Sequence, residues 1–327
     1  MSATAIPHDI VKLTAPLLLG SLFNWALYGV LIVQIYVYSY NFPKDKGVVK
    51  CLAYFVFLLE TAQTALNGAD VFFWFIQGFG DVDRLKDSHF APIDIPIIHA
   101  IISFTVQAYF CYRIWILNKR SLWLCTIIAI ASILQAIGGA WGGIQSEIVG
   151  KYAVSKTALY LWSLGSALAD VLIAIAMILL LRRTRLKGNR FSNDILLRLV
   201  RLTIETNVIT AGTAFASFVL YVAFPDEIYY VFTAGIIGKI YANTLLVSLN
   251  NRIYFREHAS SVLHSSSHQV VSSQSRLEAA SQHYHQVGPP ARPTTIGNGF
   301  KVETMSHTIE LERVKGDVVS ISSEPEP

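Results

Sequence analysis

The chain has 327 residues, of which 53% are hydrophobic and only 15% charged, with a formal net charge of +4 and a mean hydropathy of +0.46. Soluble domains carry about 25% charged residues, so the composition excludes an ordinary soluble globular protein. The basic excess is small and does not suggest nucleic acid as a partner; it fits a face turned toward an anionic lipid leaflet.

A spanning helix needs ~20 mostly apolar residues, and seven segments meet that length: Pro16–Tyr40, Cys51–Phe75, Ile93–Leu117, Leu122–Ile144, Thr157–Leu181, Thr203–Phe224 and Ile228–Asn250. The opening MSATAIPHDIVKLTAP has neither the basic n-region nor the cleavage site of a secretory signal, so the first span is expected to act as its own insertion signal. The second span carries Glu60, Gln63, Thr64, Asn67 and Asp70. At 100° per residue these fall within about a third of the helix circumference, a polar stripe that must face protein or water. The longest outer connection, Gln77–Pro92, leads to a third span with His99 and Gln107 inside and Asp94 at its outer edge. The fourth contains AIGGAWGG, whose pairs Gly138/Gly142 and Gly139/Gly143 let another helix approach closely, within the bundle or, alternatively, across a dimer seam.

The fifth span carries Asp170. It leads into the most basic connection, Arg182–Arg201, where Ser192 reads as an N-cap and Ile195, Leu199 and Leu202 share a face. That pattern predicts an extension of helix 6 lying on anionic lipid, or else a docking surface for a cytosolic partner. Glu205 sits where it can snorkel to Arg201 or a headgroup. The seventh span has its own polar stripe, Lys239, Asn243 and Asn250. From His258 onward the composition turns to Ser, Gln, His and Pro, and six of the nine histidines lie there. Such a segment cannot bury enough apolar surface to fold. The expected organisation is therefore an all-α membrane protein, a seven-transmembrane-helix bundle over residues 16–256, with a short outer N-terminus (1–15) and a disordered cytosolic tail (257–327).

Basic residues set the orientation. With the N-terminus outside, the inner side carries fifteen: Lys44, Lys46 and Lys50; Arg113, Lys119 and Arg120; seven between Arg182 and Arg201; and Arg252 and Arg256. The outer side carries five: Lys12, Arg84, Lys86, Lys151 and Lys156. N-out and C-in follows, with the plasma membrane as the expected location. Trp74, Trp141 and Trp162 fall at the outer interface level and Trp115 and Trp123 at the inner one. Cys51, Cys111 and Cys125 map to the inner, reducing half, so no disulfide is expected.

Ionisable groups inside a bilayer are costly and usually functional. At 1.5 Å per residue, Glu60, Gln107, Asp170 and Lys239 all reach roughly 14–17 Å depth, near the midplane. Lys239 therefore needs a carboxylate partner at its own level: Glu60 first, because helices 2 and 7 adjoin in most seven-helix rings, and Asp170 second. The candidate ligand or ion pathway is Glu60, Gln63, Asn67, Asp70, Gln107, Asp170, Lys239 and Asn243; alternatively, the ion pair merely fixes helix register. A retinal Schiff base on Lys239 is disfavoured, because helix 3 lacks an interior acidic counterion. No GxSxG, HExxH or P-loop pattern occurs and no set of zinc ligands converges, so neither an enzyme nor a metal or cofactor site is expected.

The stretches LLLGSLFNWALYGVLIVQIYVY, FTVQAYFCYRIWIL, SALADVLIAIAMILLL, RLVRLTIETNVITA and KIYANTLLVSLNNR resemble a large family of uncharacterised seven-helix membrane proteins of mushroom-forming fungi. The second half, about residues 165–254, resembles a fungal domain of unknown function. The resemblance implies topology and no activity. A looser likeness to G-protein-coupled receptors is one of topology: Tyr112–Arg113–Ile114 stands where an acidic-Arg-Tyr triad would end helix 3, with the acid missing, and SLNNRIY lacks the proline expected in helix 7. Short loops, a polar interior and a basic third inner loop point to a receptor-like protein sensing a small molecule or lipid. The alternative is a transporter or ion pathway through the midplane polar residues.

Overall fold

The computed structural model describes residues 10–87, 89–119, 122–149, 155–185 and 190–253, with side chains omitted over 181–199. The tail, its histidines and the side chains of the basic 182–199 stretch, Ser192 included, lie outside the described residues.

Seven helices are long and apolar enough to cross a membrane. They are α1 (Ile10–Asn41), α2 (Gly47–Phe72), α3 (His99–Leu117), α4 (Leu122–Val149), α5 (Lys156–Arg185), α6 (Arg190–Ala223) and α7 (Tyr230–Asn250). Their length follows from the bilayer, where every backbone polar group has to be satisfied within its own segment. α1 runs straight through Pro16, with Thr14 Oγ1 donating to the Ile10 carbonyl at 2.9 Å. α6 starts at Arg190 in one continuous helix, so Ser192 lies inside it and is not an N-cap. Glu205 is exposed, as a snorkelling side chain requires.

Two wide π-helical turns flank the α2–α3 connection, Phe73–Gln77 and Ile93–Ile98. The second contains Pro96, which has no N–H to donate to the helical ladder. Between them the chain makes a short 3-10 turn, Arg84–Lys86. This connection and the start of α1 form the upper end of the bundle; the α1–α2 connection and the end of α7 form the lower end. Gly78 closes the first π turn where a Cβ would come within 2.9 Å of the Trp74 carbonyl, so only glycine fits.

α7 is the central helix. It buries 78% of its most apolar stretch, against 22–50% for the other six, and packs on α1, α2, α3 and α6. Its contact with α1 is laced by amide-to-carbonyl bonds: Asn24 Nδ2 to Gly235 O (2.7 Å), Asn243 Nδ2 to Leu27 O (3.1 Å) and Asn250 Nδ2 to Gln34 O (2.9 Å). Asn243 and Asn250 stand seven residues apart, two turns, and so share the face turned to α1.

Large apolar side chains such as Leu22, Val33, Leu58, Ile130 and Val208 are exposed on the outside of the bundle, which suits a surface bathed in lipid. Trp115, Trp123 and Trp141 join them. Trp74 and Trp162 do not: both are buried, and Trp74 Nε1 donates to the Asp87 carbonyl at 2.9 Å. The three cysteines are free.

The glycines of α4 make intramolecular contacts. A Cβ on Gly138 would lie 2.8 Å from Leu161 Cβ on α5, one on Gly139 2.9 Å from Ala100 Cβ and the Pro96 carbonyl, and one on Gly143 2.6 Å from the Pro92 carbonyl. Gly143→Leu should therefore cost about 1–3 kcal/mol by overpacking and lower the melting temperature (Tm) in detergent. Gly212→Leu, where nothing lies within 4 Å, should leave Tm nearly unchanged. Equal Tm values for the two variants would show that α4 does not pack as described.

Candidate functional site

The site is organised by Lys239, which sits halfway along α7 and is fully buried. Its ammonium group donates to Glu60 Oε2 (2.5 Å), to the Glu60 backbone carbonyl (2.8 Å) and to Thr64 Oγ1 (2.6 Å), and lies 5.0 Å from the Tyr28 ring centroid. An ammonium has three protons, and all three are used. Thr64 accepts from Lys239 while donating to the Glu60 carbonyl at 2.7 Å. The ion pair is thus Lys239–Glu60, the first of the two partners expected from depth.

The stripe on α2 continues upward into a chain of buried amides and acids. Gln63 accepts from Asn24 Nδ2 (3.1 Å) and donates to Asp94 Oδ2 (3.3 Å). Asn67 donates to Ser21 Oγ at 3.3 Å. Asp70 Oδ1 takes both His89 Nδ1 (2.7 Å) and the Phe90 N–H (2.9 Å). His89 has φ +40°, unusual for a residue with a side chain, and its ring stacks on Phe73 at 4.3 Å. Asp94, expected at the membrane edge, is fully buried instead: the α2–α3 connection folds over it and Gln63 supplies its donor. His99 is buried too, with Nδ1 3.0 Å from the Ala234 carbonyl and its ring packed so closely on Gly238 that a Cβ there would collide with it.

Asp170 and Gln107 belong to a second network, separate from Lys239. Gln135 Nε2 donates to Gln107 Oε1 (2.6 Å), Gln107 Nε2 to Asp170 Oδ1 (3.0 Å), and Tyr241 OH to Asp170 Oδ2 (2.7 Å), with Ser166 Oγ 2.7 Å from the same hydroxyl. α3, α4, α5 and α7 meet there. Tyr241 follows Lys239 by two residues, about 200° around the helix, so the two networks use opposite faces of α7. Asn243 serves the α1 contact and donates also to the Lys239 carbonyl at 2.7 Å.

Two arginines close the lower end. Arg113 Nη1 donates to Ser248 Oγ at 2.6 Å, joining α3 to α7. Arg252 grips Asp45 with two bonds, 2.5 and 3.2 Å, and Tyr38 OH donates to the same carboxylate at 2.9 Å. The Arg252 guanidinium holds the Asp45 carboxyl below its ordinary pKa. An apolar cavity of ≈ 40 Å³ is walled by Pro92, Pro96, Gly138, Gly139, Gly142 and Trp162; it is far below the usual size of a small-molecule pocket.

Residues 166–254 match a family described as "Family of unknown function (DUF6534)". No curated protein matches the chain, and no solved structure does. The matched stretch supplies Asp170, Lys239, Tyr241 and Asn243; Glu60, Gln63, Asn67, Asp70 and Gln107 lie outside it.

Removing one member of a buried ion pair typically costs about 3–5 kcal/mol, because the other charge is stranded. Lys239→Met and Glu60→Gln should each lower Tm, and the double variant should recover much of the loss. Asp170→Asn should be additive with Lys239→Met, since the two side chains occupy different networks. Additivity of Lys239→Met with Glu60→Gln would contradict the pairing.

At the lower end the expectation concerns pH. A depressed folded pKa makes the Asp45–Arg252 contact contribute fully above the unfolded carboxylate value of ~3.9 and lose its contribution as pH falls through the lower folded value. The wild type should melt above Asp45→Asn at neutral pH, and the gap should close below about pH 4. A gap that persists in acid would mean that the pair contributes nothing through charge.

Proposed function

We propose that this protein is a receptor-like sensor of a small molecule or lipid, held in the plasma membrane with its N-terminus outside and its C-terminus in the cytosol. The upper half of the bundle is then the sensing half, and the lower end, with the basic 182–201 stretch, faces cytosolic partners. The basic asymmetry of the connections supports the orientation.

The observation that carries this reading is the layering along α7. Polar networks occupy its upper half and midplane, and arginine contacts occupy its lower end. Between the midplane networks and the Arg113–Ser248 contact, Phe110, Leu245 and Leu246, each no more than 1% exposed, fill the interior. A packed apolar layer opposes passage of ions, whereas one rigid helix that contacts both ends suits transmission of a change in position. The alternative, an ion pathway, draws support from the buried polar groups that line α2 from Asp70 down to Glu60, with His89 on Asp70 at their upper end.

Two measurements on purified protein separate these readings. Native mass spectrometry in nanodiscs should show a co-purifying small molecule or lipid, reduced in the Glu60→Gln/Lys239→Met double variant. Liposomes carrying the protein should show no more ion flux than empty ones. Flux that the double variant abolishes would overturn the receptor reading in favour of transport.

A further inference from the structure

The upper end of the bundle keeps a void that its side chains do not fill. The cavity of ≈ 40 Å³ lies between the Ile93–Ile98 π turn, α4, α5 and α7. Ala91, Ala158 and Ala234 each turn a single methyl group to it, where a larger apolar side chain would close the gap. These three are at most 2% exposed, so the void belongs to the interior and not to the lipid face. An interior void deprives every wall of packing contacts. The same elements otherwise pack as closely as glycine allows: a Cβ on Gly139 would come 2.9 Å from the Pro96 carbonyl. The gap is therefore a local exception in a tightly packed end.

The chemistry of the walls selects the occupant. Among the described residues only carbon surface faces the cavity, so water would find no partner there, and apolar voids stay dry. An ion or a charged head would be stranded on the same surface. A lipid chain ends near the centre of the ~30 Å hydrocarbon core, whereas this cavity is built from the first two turns of α5 and α7, at Ala158, Trp162, Tyr230 and Ala234. What fits is a neutral apolar molecule of a few carbon atoms.

Two neighbours of the void suit a site. One wall is the π turn that carries Pro96, and such wide turns are frequent at functional positions. Another is α7 itself. The Ala234 carbonyl lies 3.0 Å from His99 Nδ1, and Lys239 follows five residues later, so an occupant bears directly on the central helix. We propose that this cavity is the sensing site and that its ligand is a neutral apolar molecule of a few carbon atoms, entering from the upper end. The site lies in the half that the receptor reading turns outward, and the proposal rests on that reading for taking occupancy as a signal.

Trp162 in the wall supplies the readout, because a bromine atom in contact with an indole quenches its emission. Bromoethane, a probe of the stated class, is titrated into the detergent-solubilised full chain. Tryptophans facing detergent, such as Trp25, Trp115, Trp123 and Trp141, should be quenched in proportion to the dissolved probe. Trp162 should add a saturable component. That component should vanish in Trp162→Phe, and its half-saturating concentration should rise roughly tenfold in Ala158→Leu and in Ala91→Leu, whose added carbons occupy the void. Strictly proportional quenching of the wild type would overturn the proposal, as would a saturable component unchanged in both filled variants. If neither filled variant folds, the wild type and Trp162→Phe decide: saturation in the first and not in the second supports the site, and any other result rejects it. Ion flux through a protein that still shows saturable quenching would end the receptor reading and leave the binding site standing; a co-purifying ligand without saturable quenching would do the reverse.

Discussion

A lysine ammonium in the middle of a bilayer is tolerable only when its protons are spoken for, and the placement of α7 follows from that requirement. Lys239 takes a carboxylate oxygen, a backbone carbonyl and a hydroxyl, all from one turn of α2. The backbone carbonyl is the demanding partner. Thr64 and Lys239 both donate to it, and reaching it brings the two helices into close contact at the midplane. Exchange of either charge for a neutral group leaves the other in low dielectric, so the contact acts as a register pin.

Within lipid there is little hydrophobic force between helices, and packing and polar contacts have to supply the association. α7 shows how the sequence meets this. Toward α1 it uses amides on carbonyls, at Asn243 and Asn250, and receives one from Asn24. Toward α3 it has Gly238, flat enough to take the His99 ring. On the far side of the bundle, α4 meets α5 and the turn at Ile93 through glycines that have no room for a side chain. Small residues and amides thus replace the large apolar knobs of a soluble core, and the large apolar side chains face outward.

The seven spans were legible because their hydrophobic runs are long and their charges few. The Lys239–Glu60 pair was legible because depth places both near one level and because helices 2 and 7 adjoin in most seven-helix rings. Depth fixes height but not azimuth: Asp170 lies at the level of Lys239, yet its partner on α7 is Tyr241, on the opposite face. Tyr241, the residue that ties Asp170 to α7, carried no signal of its own, since a tyrosine in an apolar run reads as one more aromatic side chain. Asp94 was placed at the edge because a straight helix from Ile93 would put it there. The folding-back of the α2–α3 connection, with His89 on Asp70 and Trp74 on Asp87, covers it, and that arrangement depends on contacts between residues thirteen to twenty apart in a segment without periodicity.

The two networks differ in kind. Around Asp170 the carboxylate receives donors on both oxygens, from Gln107 and Tyr241, whereas the upper cluster is short of donors at five oxygens. At the crossing of four helices the Asp170 carboxylate is satisfied, although the Gln135 Oε1 beside it is not; the upper cluster has several such oxygens. Both lie against α7, on faces about 200° apart, and both also draw on the span Ile93–Leu117, through Asp94 and Gln107. The same helix carries Lys239 to Glu60, Tyr241 to Asp170 and Ser248 to Arg113, so its position is set from three levels at once.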